Sequence, residues 1–442
     1  MKTPIVDFLQ EYAAASRTRL HMPGHKGRGV LGCEELDITE VKGADALYEA
    51  DGIIAESEAN ATALFGSART CYSAEGSSQC IRAMLYLLEK HRPAGTAPLV
   101  LAARNVHKAF VYAAALLDLD VEWLWPDMSD SLCSCRITPQ QLEAALQAQP
   151  YPPLAVYITS PDYLGGVADI AALAEVCHAH GTYLAVDNAH GAYLHFLPEA
   201  QHPLDLGADI CCDSAHKTLP VLTGGAYLHI SRRAAHLAAD AKQALALFGS
   251  TSPSYLIMAS LDNCNRYLAE DFRPTLANLL PVIEAAQATL RQAGWQVESS
   301  DPLRITVRAP HGSSGFDLAE KLREQGIEPE YADEEHLVLM ISTQNTPQEV
   351  QLAVAALGVN SQPYADRPTL PQARGEQQLS IREALFPRSE VVAVDEALGR
   401  ICGAPAVSCP PAIPIAISGE EIGAAAIALF KHYGIESVEV VK

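Results

Sequence analysis

Between Tyr183 and His229 the sequence places an acid and an amine where they can share one task. Tyr183-Leu184-Ala185-Val186 is a short apolar run that ends on Asp187 and is followed by Asn188-Ala189-His190-Gly191. About one helix and one strand later comes Ile210-Cys211-Cys212-Asp213, then Ser214-Ala215-His216-Lys217. Either group alone reads as a strand-end aspartate or a surface lysine. A carboxylate closing one strand and Ser-x-His-Lys closing another are together what a pyridoxal 5'-phosphate (PLP) site requires. The lysine forms the Schiff base, and the carboxylate keeps the pyridine nitrogen protonated so that the ring acts as an electron sink. Both groups then stand at carboxyl ends of strands, where open α/β sheets bind ligands.

Such a pair needs a sheet to hold it. Short apolar runs at Thr70–Ser73, Pro98–Ala102, Val121–Leu124, Leu154–Thr159, Tyr183–Val186, Asp209–Cys212 and Ala226–Ile230 alternate with helical stretches. That alternation predicts an α/β domain built on a mostly parallel sheet. Gly76-Ser77-Ser78 turns into a helix predicted over Cys80–Lys90, and a Gly-Ser-Ser turn at a helix start presents N–H groups and hydroxyls to an anion. Serine is also simply a good helix cap. Residues 1–20 carry an amphipathic pattern (Ile5, Phe8, Leu9, Tyr12), and a helix closed by Gly66 is predicted before the first strand. Beyond Arg273 the pattern changes to a smaller α+β arrangement, followed by a Pro-, Gln- and Arg-rich linker at 360–376. The expected organisation is an N-terminal arm (1–49), a large cofactor-binding domain (50–270), a small α+β domain (271–365) and a C-terminal domain (366–442).

Ser214-Ala215-His216-Lys217 resembles the Schiff-base motif of the ornithine/lysine/arginine decarboxylases, which are fold type I PLP enzymes with the aspartate-aminotransferase fold. The likeness runs from the opening loop His21-Met22-Pro23-Gly24-His25-Lys26-Gly27 through Ser160–Gly166, Thr251–Tyr255 and Glu330–Asp333 to Ser408–Pro414. The chain begins almost at the opening motif and so resembles the short form of the family. The resemblance implies three catalytic residues: Lys217, Asp187 and His107, the last as the ring stacked on the cofactor face. It implies cofactor contacts from Gly76, Ser77, Ser78, His190, Ser214 and His216, and from Thr251 and Ser252, which reach the phosphate of a neighbouring subunit. Glu330 and Asp333 are candidates for pairing with the distal cation of a substrate. The implied activity is decarboxylation of arginine, lysine or ornithine to the amine and CO2, in polyamine metabolism. It implies a homodimer or higher homo-oligomer with a shared active site.

The sequence departs from the family pattern at Asn188 (commonly Glu), Cys409 (Tyr) and Ala412 (Gly). Two other readings stay open: an aminotransferase, whose substrate carboxylate Arg304 or Arg308 would grip, and a non-catalytic PLP-binding paralogue.

Composition bounds the rest. A net charge of −22 over 442 residues argues against nucleic acid and anionic membrane as partners and suits a cationic amino acid. Hydrophobic content is 49% without a run long enough to span a bilayer. No charged-then-apolar leader pattern opens the chain. Eleven scattered cysteines without a Cys-x-x-Cys pair read as free thiols of a cytoplasmic protein, and no metal site is expected.

Overall fold

The computed structural model describes residues 1–128, 131–366, 369–407 and 412–442. Its central element is a seven-stranded sheet. In chain order the first part runs α1 (Pro4–Ala14), α2 (Ile53–Phe65), β1 (Arg69–Ser73), α3 (Ser77–Lys90), β2 (Ala97–Ala103), α4 (Lys108–Leu117), β3 (Asp120–Leu124) and α5 (Pro139–Gln147). Then come β4 (Pro153–Thr159), α6 (Ile170–Ala179), β5 (Tyr183–Asp187), β6 (Ile210–Asp213), α7 (Ala215–Thr218) and β7 (Ala226–Ile230). The strand order is β1-β7-β6-β5-β4-β2-β3. Pairs β2/β3 and β5/β6 are parallel, and β7 is antiparallel to both neighbours. β5, β6 and β7 are buried almost throughout, as expected of strands covered on both faces.

The chain divides into two compact units. The first comprises Met1–Thr96, Leu154–Val156 and Ile170–Thr275. Its α1 ends at Ala14, short of the predicted arm helix, and buries Ile5, Leu9 and Tyr12. The N-terminus of α1 is tied down by a carboxylate: Asp262 accepts the Ile5 and Val6 N–H groups at 2.9 and 3.1 Å. α3 starts at Ser77, three residues before the predicted start, so Ser77 and Ser78 lie within its first turn.

The second unit comprises Ala97–Pro153, Tyr157–Asp169 and Leu276–Lys442. It holds a three-stranded antiparallel sheet of β8 (Arg304–Arg308), β9 (Tyr331–Ala332) and β10 (His336–Met340), in the order β8-β10-β9. A further core gathers Val394, Cys402, Ile415, Leu429, Phe430 and Val440. The stretch predicted as a linker contributes Leu370 and Ala373 to that core, so part of it is anchored rather than free. Cys409 lies outside the described residues.

Candidate active site

The site is assembled at the carboxyl ends of β5 and β6. These strands are parallel and adjacent, with Asp187 in register with Cys212, so the residues that follow each strand emerge side by side. Asp187 is 2% exposed, and its Oδ1 accepts the Ala189 N–H at 3.2 Å. After β6 the chain closes one helical turn, α7, with the Lys217 N–H bonded to Ser214 O at 2.9 Å. That turn carries the half-buried Lys217 amine to 2.9 Å from Nε2 of buried His190, which follows β5.

A second loop meets α7. Gly76 precedes α3 with φ +74°, a backbone conformation that glycine adopts without cost, and its N–H reaches Gly224 O at 2.7 Å. This brings the first turn of α3 beside α7, where Ser214 Oγ donates to Ser77 Oγ at 2.8 Å. His216 is held by its backbone: both its N–H (3.2 Å) and Nδ1 (3.0 Å) bond to Gly225 O. Burial lowers the pKa of the His216 ring, which favours a neutral imidazole beside Lys217.

The first unit therefore brings together Lys217, His190, Ser77 and Ser214, with Asp187 next to them on β5. Ser78 and Gly76 are in the same turn at the start of α3. Thr251 and Ser252 stand exposed on the loop before α9 (Tyr255–Glu270), which Ser254 caps. The other candidates belong to the second unit. His107 caps α4, its Nδ1 accepting the Ala109 N–H at 3.1 Å, which leaves the proton of the neutral ring on Nε2. Glu330 is exposed and accepts a bond from Tyr163 Oη at 2.9 Å. Asp333 is buried and already engaged: it accepts from Tyr331 Oη (2.9 Å) and from the N–H groups of Glu335 (2.9 Å) and His336 (2.7 Å).

One group that the sequence reading missed underlies the site. Asp213, fully buried, accepts from Asn188, His202 and His229. A signal was present, since His229 interrupts the otherwise apolar strand Ala226–Ile230.

The donor set fits PLP. A buried carboxylate suits a pyridinium, an amine beside an imidazole suits an aldehyde, and paired hydroxyls at a helix start suit a phosphate. The family description "Orn/Lys/Arg decarboxylase, major domain" matches residues 3–309. The chain belongs to the Orn/Lys/Arg decarboxylase family. Among curated relatives, it is 27% identical over 460 residues to an arginine decarboxylase of Halalkalibacterium halodurans, covering 95% of this chain and 91% of that protein. It is 29% identical over 451 residues to the Bacillus subtilis protein YaaO, covering 96% and 92%. Among solved structures, the lysine decarboxylase LdcF of Francisella novicida superposes with a TM-score of 0.81 at 16% identity, over 100% of this chain and 81% of that one. The fold is that of fold type I PLP enzymes, and this member of the family is a PLP-dependent amino-acid decarboxylase.

Proposed function

We propose that the chain decarboxylates a basic amino acid (arginine, lysine or ornithine) to the corresponding amine, with Lys217 as the cofactor-bearing residue and Asp187 as the partner of the ring nitrogen. The observation that carries this reading is the 2.9 Å contact between Lys217 and His190 at the end of β6, beside buried Asp187 on β5. PLP, when bound, supplies the electron sink that lets the bond from Cα to the carboxylate break. Buried Asp187 would pair with the ring nitrogen of such a cofactor and hold its proton. His190 holds Lys217 Nζ by a hydrogen bond and orients the amine. The Lys217 amine would be placed to supply a proton at Cα as general acid. Ser77, Ser214 and the N–H groups opening α3 would serve a phosphate, with Gly76 and Ser78 in that turn and His216 held beside it on α7. His107 is proposed, on the family likeness, as the ring lying on the cofactor face.

Arg304 and Arg308 are occupied in ways that speak against the aminotransferase reading. Arg304 is 1% exposed, bonds to the carbonyls of Asp162 and Tyr163, and lies 3.6 Å from Asp301. Arg308 donates to Gln296 Oε1 at 3.2 Å and Ala365 O at 2.8 Å. Neither is held out to grip a substrate carboxylate. Glu330, exposed and steadied by Tyr163, is the better partner for a distal ammonium or guanidinium; Asp333 is spent on its own turn.

The names of the relatives support a basic substrate, as does the net charge of −22. Exposed Thr251 and Ser252 support a homodimer in which they reach a partner's cofactor phosphate. Among the described residues no helix is long and apolar enough to cross a membrane. We place the activity in the cytoplasm, in polyamine metabolism. The deciding experiment measures CO2 and amine release from arginine, lysine, ornithine and a neutral amino acid of similar length. Release from at least one of the basic three, well above the neutral compound, is expected. Preference for the neutral compound would sink the substrate class.

A further inference from the structure

Asp213 closes β6 one residue before Ser214, with no exposure to solvent. Its Oδ1 accepts from Asn188 Nδ2 at 2.7 Å, and its Oδ2 from His202 Nε2 at 3.0 Å and His229 Nε2 at 3.1 Å. The proton positions follow from the outer partners of the rings. His202 Nδ1 accepts the Leu204 N–H at 3.3 Å, so the proton of the neutral ring is on Nε2 and points at Asp213. His229 Nδ1 faces Thr70 Oγ1 at 2.9 Å, a hydroxyl able to donate to it, so His229 likewise presents Nε2–H. Burial alone would raise the Asp213 pKa, but the electrostatic pull and hydrogen bonds of the two histidines hold the carboxyl well below the usual carboxylate range. Asp213 is therefore a buried carboxylate whose partners are all supplied by the protein.

The same wiring sets aside a metal. His202, Cys211 and Asp213 bring ligand atoms within 4.8 Å of one another. A metal-bound histidine donates its other ring N–H outward, whereas His202 Nδ1 here receives an N–H.

Asn188 is the connection to the chemistry. It follows Asp187 directly, and its own N–H bonds to Cys212 O at 3.0 Å. The Gly191 N–H returns to Asn188 O at 2.8 Å, closing the turn that holds His190. The Asn188 amide fills the space beside Gly191 so closely that a Cβ there would stand 2.1 Å from Asn188 Oδ1. We propose that Asp213 and Asn188 are positioning residues: their hydrogen bond locks the turn after β5, which follows Asp187 and carries His190, to the end of β6 from which Ser214 and Lys217 follow, and so sets the affinity for the phosphate-bearing cofactor. This inference rests on the PLP reading of the site.

The test uses the full-length protein and two substitutions, with PLP affinity measured by equilibrium dialysis and the melting temperature of the cofactor-free protein measured alongside. Asn188→Ala removes the tie and is expected to weaken PLP binding about tenfold or more. Asn188→Asp keeps the volume but sets a second carboxylate against Asp213. It is expected to weaken binding at alkaline pH and to recover toward wild type, compared at each pH, once acidification protonates one of the two carboxyls and restores a donor. Unchanged PLP affinity in both variants, whatever their melting temperatures, overturns the proposal. Weakened binding in Asn188→Asp without recovery on acidification also overturns it, since a purely structural lesion would behave so. Failure of the wild type itself to bind PLP would instead remove the reading of the site. A stoichiometric transition metal in the purified protein would overturn the hydrogen-bond wiring.

Discussion

The Nζ of Lys217 stands 2.9 Å from Nε2 of His190, although the two residues are 27 positions apart in the chain. A half-buried amine held by an imidazole is already oriented, which would lower the ordering cost of binding a cofactor there. Borohydride reduction of the PLP-loaded protein followed by peptide mapping is expected to place the pyridoxyl group on Lys217. Label on Lys108, or no label, would contradict the site as drawn.

Asp187→Asn keeps the shape of the side chain and removes its charge. A single well-placed electrostatic group of this kind contributes a few kcal/mol, so turnover should fall on the order of a hundredfold or more. PLP should still attach to Lys217. Turnover close to wild type would make the carboxylate structural only.

Ala412 occupies φ +61°, a left-handed conformation that a Cβ disfavours, and is 5% exposed. Its carbonyl accepts the Lys108 N–H at 3.0 Å, next to His107. Relief of a strained non-glycine residue is worth about 1–2 kcal/mol, partly offset by the greater freedom of glycine in the unfolded chain. Ala412→Gly is therefore expected to raise stability by up to about 1 kcal/mol, read in chemical denaturation; a loss would show that the conformation is not strained.

His336 sits among carboxylates in the second unit, with Nδ1 3.3 Å from Asp333 and Nε2 3.6 Å from Glu298. Burial would lower its pKa, yet the two acids raise it to about 9. A folded pKa above the unfolded value of about 6.5 means that this group's contribution is fully present below pH 6.5 and is lost as pH rises through 9. The shift corresponds to a few kcal/mol. Wild-type stability should decline across that window, and His336→Gln should flatten the decline. A His336→Gln curve parallel to wild type would show that other groups titrate there.

Limited proteolysis of Asp262→Ala across pH checks the anchoring of the N-terminal helix. Burial raises Asp262 to about 6, so its contribution is greatest at acid pH and falls as pH rises through that value. The variant should release α1 to early proteolysis, most clearly at acid pH, as the Ile5 and Val6 N–H groups lose their acceptor. Unaltered proteolysis would mean that packing of Ile5 and Leu9 suffices.

Strand positions and the family were legible in the sequence because each rests on local pattern. Apolar runs of strand length mark the sheet, and Ser-x-His-Lys is a contiguous motif. Arg304 shows the limit of that reading. On a strand near a supposed substrate site it looked available, and only the fold shows its guanidinium buried against the carbonyls of Asp162 and Tyr163. Asp333 likewise looked like a free carboxylate until the hairpin between β9 and β10 turned its oxygens inward.

The sequence by itself determined that a carboxylate ends one strand of an α/β sheet and that a lysine follows another, since side-chain type and strand pattern are local properties. Only the tertiary structure decided that these strands are neighbours in parallel register, that His190 meets Lys217, and that Asp213 binds Asn188, His202 and His229 out of reach of water. Those contacts join residues 11 to 27 positions apart. Burial, which makes an unpaired charge costly and a paired one directional, is a property of the folded chain that no local pattern encodes.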